Sequence, residues 1–263
     1  YPELQACYVQ QIDRQGVGHA IQMTKEIVNN DEVVVVLGDT ICEYDINEVV
    51  NSPGSMLGVK KVDDPREFGV AEIDEDGYID HVVEKRQIAK SNMALVGIYK
   101  IKESGHLFQC LENNYRQGLR THGEYSLTDA LDCMLKMGIK MKPFKVESWF
   151  DCGRKETLLE SNATLLKKFS RKAESEYRFE NTVIIPPVSI GDGCDIKNSI
   201  IGPNVTIGES STINYSIIRN SIIGSFSNLF DIVLEAYIIG SDTGLRGETR
   251  TLNIGDNTNN ELG

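Results

Sequence analysis

The aliphatic run Val33-Val34-Val35-Val36-Leu37 stops abruptly at Gly38-Asp39, the pattern of a strand buried on both faces that ends in a polar loop. Upstream, Ala6 to Gln11 reads as a short strand, residues 11–18 as a turn-rich loop, and His19 to Val28 as a helix. After Pro53-Gly54 come three strand patterns, Met56 to Val62, Gly69 to Asp74 and Tyr78 to Glu84, the last two joined by a hairpin turn at Asp76-Gly77. Met93 to Ile101 is a further strand, rich in small and apolar residues. Helices are predicted over Gly105 to Asn114 and Ser126 to Lys136, the second capped by Ser126 with Asp129 three residues on. Lys140 to Val146 is a strand leading towards Trp149-Phe150-Asp151-Cys152-Gly153. The sum is an open, mostly parallel α/β sheet with a β-rich insertion. Its ligand crevice lies at the carboxyl edge, where Asp39 and Asp151 would be delivered.

Beyond a basic helix from Lys155 to Lys172 and a polar linker, the pattern changes. Ile-Gly pairs stand at Ile190, Ile201, Ile207, Ile223, Ile239 and Ile254, and Ile184, Ile196, Ile213 and Ile218 continue a spacing of five or six residues. That period predicts a left-handed parallel β-helix of hexapeptide turns, with each aliphatic side chain pointing into a narrow prism. A β-sandwich, the alternative, repeats its turn signals at longer intervals. The boundaries predicted are 1–172 for the α/β domain, 173–180 for the linker and 181–263 for the β-helix.

Composition narrows the function. The net charge of −12 argues against a nucleic-acid polymer as partner, since binding a polyanion requires a basic surface. No apolar run is long enough for a membrane helix. The six cysteines are scattered, which predicts reduced thiols in a cytoplasmic protein rather than a zinc site or a disulfide framework. Paired strand-end carboxylates suggest a divalent metal and a phosphate substrate.

Seven segments in order carry a resemblance: residues 11–19, Leu37-Gly38-Asp39, residues 67–72 (EFGVAE), Val83-Glu84-Lys85, residues 91–99, residues 123–130 (GEYSLTDA) and residues 149–153 (WFDCG). Together they resemble the sugar-1-phosphate nucleotidylyltransferases, most closely the glucose-1-phosphate thymidylyltransferase-like members with a C-terminal left-handed β-helix. The resemblance implies a Rossmann-like nucleotidyltransferase sheet, incomplete at its N-terminus, followed by the β-helix. It implies transfer of a nucleotidyl group from a nucleoside triphosphate, dTTP or UTP, to a sugar 1-phosphate, with release of pyrophosphate. Asp39 and Asp151 would hold Mg²⁺, and Lys85 would join them in the catalytic set. Gln11, Gly16 and Asp39 would bind the nucleotide, Gln11 pairing with the base while Gly16 lets the backbone approach it. Gly69, Glu84, Lys85, Leu95 and Tyr99 would bind the sugar phosphate, and Glu124 would act only from behind them.

Two departures matter. Arg86 stands where the family usually has Pro after Glu-Lys, and no G-x-G-x-R segment for wrapping the triphosphate occurs anywhere in the chain. The chain therefore reads as beginning inside a domain. Two other functions compete: an acyltransferase built on the β-helix, and a non-catalytic subunit of a nucleotide-sugar pyrophosphorylase. The first is disfavoured because His19, His81, His106 and His122 all precede the β-helix, which leaves it no histidine general base. Aliphatic positions at Ile217, Ile222, Leu229 and Phe230 predict a homo-oligomer. Without the glycine-rich loop the β- and γ-phosphates lose their main partners, so the chain as given is expected to release little or no pyrophosphate from dTTP, glucose 1-phosphate and Mg²⁺. Robust pyrophosphate release in a coupled assay would contradict this.

Overall fold

A computed structural model describes residues 3–85, 91–169 and 178–247. The chain divides into two units, Tyr1–Phe150 and Asp151–Gly263. The elements of the first, in order, are α1 (Val17–Gln22), α2 (Lys25–Val28), β1 (Val33–Val36), β2 (Thr40–Glu43), α3 (Ile46–Val50), β3 (Ser55–Lys61), β4 (Val70–Ile73), β5 (Ile79–Val83), β6 (Met93–Ile101), α4 (Ser104–Gln117), α5 (Leu127–Lys136), β7 (Met141–Lys145) and β8 (Ser148–Asp151). The main sheet has the order β5-β4-β6-β3-β7, with β1 also bonded to β6, while β2 pairs with β8.

The expectation of a mostly parallel sheet needs correction at the level of neighbours. β1, β3 and β4 each run antiparallel to β6, β5 runs antiparallel to β4, and only β3 and β7 are parallel partners. β1, β3, β4 and β7 consequently share one direction, and β5 and β6 run against it. β6 is buried from Ala94 through Ile101 because strands flank it on both edges and both its faces are covered. On one face α4 and α5 bring Leu107, Phe108, Leu111, Leu131 and Met134 against Leu57, Val59, Leu95 and Tyr99. On the other, Val49, Met56, Val96, Ile98, Phe144 and Val146 form a second core.

Other expectations change for local reasons. Ala6 to Gln11 forms no strand: Tyr8 is 95% exposed, and no described strand pairs with this segment to satisfy its backbone. β1 is not buried on both faces, since Val34 and Val36 are exposed and β6 is its bonded neighbour among the described strands. The helix predicted from His19 breaks at Thr24, whose hydroxyl and N–H both donate to Ile21 O, at 2.8 and 2.9 Å. β2 and α3 were not anticipated; Asp45 caps α3 by accepting from Asn47 N–H at 2.9 Å. The expectation of reduced thiols fails for Cys110 and Cys133. Packing of α4 against α5 sets their Cα atoms 6.0 Å apart and the two form a disulfide, a pairing that 23 residues of separation conceal. No helix among the described residues is long and apolar enough to cross a membrane.

The second unit opens with α6 (Lys155–Phe169) and continues as a parallel β-solenoid of three four-stranded ladders. The rows Ile184, Ile201, Ile218, Leu234 and Ile196, Ile213, Leu229 stack in register along its axis and are buried. The coils are shorter than three full hexapeptides. Steps of six, six and five residues take Ile184 through Ile190 and Ile196 to Ile201, and the row from Ile218 to Leu234 closes in sixteen. At the corners the chain turns through left-handed residues such as Asn198, Tyr215 and Asp231. Buried serines satisfy the backbone of the next coil: Ser199 Oγ accepts from Ser216 N–H at 3.1 Å, and Ser211 Oγ from Ser227 N–H at 3.2 Å. α6 docks through Asn162, whose Nδ2 donates to Asn204 O at 3.3 Å and whose Oδ1 accepts from Thr206 Oγ1 at 2.6 Å.

Leu229, expected on an associating surface, is fully buried inside the solenoid, whereas Ile217, Ile222 and Phe230 are half-buried. Most of the expected linker, Arg86 and the Ile254-Gly255 pair lie outside the described residues. Because Ile213 is enclosed by Ile196 and Leu229 from adjoining coils, Ile213→Ala should cost about 2–5 kcal/mol in urea unfolding. An unchanged midpoint would contradict this packing.

Candidate functional site

β6 gathers most of the expected site residues of the first unit. Leu95 N–H donates to Gly69 O at 2.8 Å, which brings the start of β4 against β6. Gly69 is closely approached by its neighbours, which leave little room for a side chain. A Cβ there would lie 3.2 Å from Glu84 Oε2, 3.3 Å from Leu95 Cδ1 and 3.4 Å from Thr128 Oγ1. The half-buried Glu84 carboxylate is held by Thr128, whose hydroxyl donates to Oε2 at 2.6 Å. Thr128 is itself fixed in the first turn of α5, where its N–H donates to the capping Ser126 Oγ at 3.0 Å. Asp129 turns away to accept from Thr121 Oγ1 at 2.7 Å. Tyr99 is 5% exposed, and burial, followed by the nearby Glu84 charge, raises its phenol well above the ordinary range, so it stays protonated.

A second feature of β6 positions Asp39. Gly97 has φ of +81°, and a Cβ on it would fall 2.9 Å from Thr40 Oγ1 and 3.0 Å from Leu37 Cδ1, so glycine alone fits. The register of β3 against β6 shifts at this point, a bulge between Leu57 and Val59. Into that space comes the turn after β1: Leu37 N–H donates to Gly97 O at 2.9 Å, and Thr40 N–H to Leu37 O at 3.3 Å. Asp39 sits exposed in this turn.

The loop carrying Gln11 and Gly16 is clamped to the segment before α5. Gly18 N–H donates to Tyr125 O at 2.9 Å, and Tyr125 N–H to Gln15 O at 2.8 Å. Gly16, at φ +101°, allows this approach, because a Cβ would meet Glu124 Cβ and Tyr125 O at 2.8 Å. The packing thus accounts for Gly16 without a nucleotide. Gln11 Nε2 lies 3.2 Å from Gly16 O and 2.8 Å from His19 Nδ1.

The remaining residues stand as follows. Lys85 is exposed with φ of +27°, immediately after Glu84. Asp151 closes β8, half-buried, its Oδ1 accepting from Gly153 N–H at 3.0 Å. Among the described residues no group of three or more His, Cys, Asp or Glu side chains is arranged to hold a metal. One residue that anchors the group was not singled out from sequence: Thr128, visible as a hydroxyl two residues after a helix cap. The Trp149 indole N–H is buried without a hydrogen-bond partner, and Phe68 meets its ring edge-on with centroids 4.7 Å apart.

The chain is similar along most of this unit to proteins of one kind. The nucleotidyl transferase family model matches residues 3–168. A low-salt glycan biosynthesis nucleotidyltransferase of Haloferax volcanii, Agl11, is 30% identical over 183 residues, 67% of this chain and 50% of that protein. A glucose-1-phosphate thymidylyltransferase of Streptomyces antibioticus is 30% identical over 201 residues, 73% of this chain and 54% of the relative. The structure of a UDP-glucose pyrophosphorylase complexed with UDP-glucose superposes with a TM-score of 0.51 at 26% identity, covering 62% of this chain and 66% of that one. The chain spans about half the length of the curated relatives it matches. With the family's ordered segments now placed around β6, the chain belongs to the nucleotidyl transferase family.

Proposed function

We propose that this protein serves nucleotidylyl transfer from dTTP or UTP to a sugar 1-phosphate, giving a nucleotide-sugar and pyrophosphate. The observation that supports the reading is the close approach at Gly69 of a Glu84 carboxylate anchored by Thr128 and the apolar Leu95 side chain. A sugar needs such a mixture: an acceptor for its hydroxyls and a flat apolar surface for its ring. Glu84, with one oxygen already bound to Thr128, offers its remaining lone pairs to sugar hydroxyls. Lys85, next to Glu84, is the cation for the sugar phosphate.

In this reaction a 1-phosphate oxygen attacks the α-phosphorus while pyrophosphate leaves, so the protein's part is positioning and charge neutralisation. Asp39 and Asp151 would hold Mg²⁺. They are hard oxygen donors, and Asp39 sits in the turn that precedes β2 while Asp151 ends its partner β8. With so few protein ligands, the ion's other positions would go to phosphates and waters. When bound, it neutralises phosphate charge. Asp39 is presented beside β6, the strand that also carries Leu95, through the bond from Leu37 N–H to Gly97 O.

Thermal unfolding with dTDP-glucose and UDP-glucose tests this reading. At a hundred times its dissociation constant a ligand stabilises by about 2.7 kcal/mol, a shift of several degrees. The wild-type chain should respond to at least one of the two. Gly69→Ala, whose methyl would crowd Glu84 and Leu95, should still unfold cooperatively and lose most of the response. No response from the wild type to either nucleotide-sugar would overturn the proposal.

A further inference from the structure

The disulfide between Cys110 and Cys133 joins the middle of α4 to the last turn of α5. The chain it encloses holds two parts of the candidate site in place. Within that loop Thr121 and Glu124 form an isolated bridge, Tyr125 donates to Gln15 O and accepts from Gly18 N–H, and Thr128 anchors the Glu84 carboxylate. Tyr115, also inside the loop, packs its ring against those of Tyr125 and His19, with centroids 5.0 and 6.0 Å apart. The segment carrying Gly16 and the carboxylate beside Gly69 therefore both lean on one covalently closed stretch.

The two sulfurs differ in access. Cys110 is fully buried, with Met137 Sδ 3.6 Å from its Sγ, whereas Cys133 is half-buried. An external thiolate consequently attacks Cys133 Sγ. The S–S bond breaks, and Cys110 Sγ leaves with the electron pair and takes up a proton. A second thiol then resolves the mixed disulfide at Cys133, leaving two protein thiols and one small-molecule disulfide. Leu107, Leu111, Leu131 and Met134 belong to one buried core, so α4 and α5 stay packed when the bond is open. What opening removes is the constraint on the enclosed chain, whose conformational freedom rises.

We infer that Cys110 and Cys133 form a reversible thiol–disulfide exchange site, with glutathione-class thiols as reductant and their disulfides as oxidant, whose closed form holds the candidate site ready to bind. The effect on binding rests on the nucleotide-transfer reading above; the exchange chemistry stands apart from it.

Equilibrating the full chain in glutathione buffers from oxidising to reducing, and then returning it, tests the inference. After quenching and denaturation a maleimide label counts thiols. With two of the six cysteines in the bond, the count should move from four to six and back. On reduction the Tyr125 and Thr128 amides should exchange with solvent roughly tenfold faster, and the dissociation constant for dTDP-glucose or UDP-glucose should rise by a similar factor. Cys133→Ser, which cannot close the bond, should match the reduced wild type in every buffer. A thiol count fixed at four or at six throughout, equal amide exchange in the two states, or equal dissociation constants overturns the inference alone. A redox response that persists in Cys133→Ser belongs to another cysteine and overturns it as well. Binding of neither nucleotide-sugar in either state overturns the nucleotide-transfer reading and the effect on binding with it, while the thiol count and amide exchange still decide the exchange site.

Discussion

Two backbone hydrogen bonds to and from one buried strand organise the first unit. Leu95 N–H holds Gly69, and Gly97 O holds Leu37, so the middle of β6 fixes both the start of β4 beside Glu84 and the turn that carries Asp39. β6 can do this because it is covered on both faces and paired on both edges, which leaves its backbone little freedom. The bulge at Gly97 is the necessary irregularity. A regular strand there would bring a side chain into Leu37 and Thr40, and the turn could not seat. The chemistry proposed for the protein needs groups held in place rather than a reactive side chain, and a rigid central strand is suited to that demand.

The same logic of shared backbone bonds governs the solenoid at a different scale. Its coils close in sixteen or seventeen residues because a short side of five residues still turns the corner, the left-handed conformation of residues such as Tyr215 and Asp231 making the bend. Buried serine hydroxyls then take up N–H groups of the next coil, so a corner in one coil is completed by its neighbour. Each coil therefore depends on the adjacent ones for both apolar stacking and polar satisfaction.

Much of this was legible in the residue pattern. The strand at Met93 to Ile101, the helix capped by Ser126 and the aliphatic rows of the solenoid are local signals, and the structure has them where periodicity places them. What escaped depends on neighbours that sequence does not display. β1 reads as doubly buried from its four valines, yet its exposure is decided by how few elements cover it. Cys110 and Cys133 meet only because two helices pack side by side. For the candidate site, Glu84 and Gly69 are expected by resemblance. The Thr128 hydroxyl that anchors Glu84 is 44 residues away in the chain and needed the sheet and helix to be assembled first. Gly16 was visible as a glycine, but the reason for it is the backbone of Tyr125.

The central claim is that the Glu84 carboxylate beside Gly69 and the Asp39 turn form one site through β6. Amide hydrogen exchange at Leu95 and Leu37, resolved by NMR with and without a saturating nucleotide-sugar, measures it most directly. Both amides should exchange more slowly together on binding, since each closes one side of the same site. Slowing at Leu95 with no change at Leu37 would show the two features to be independent and would contradict the account.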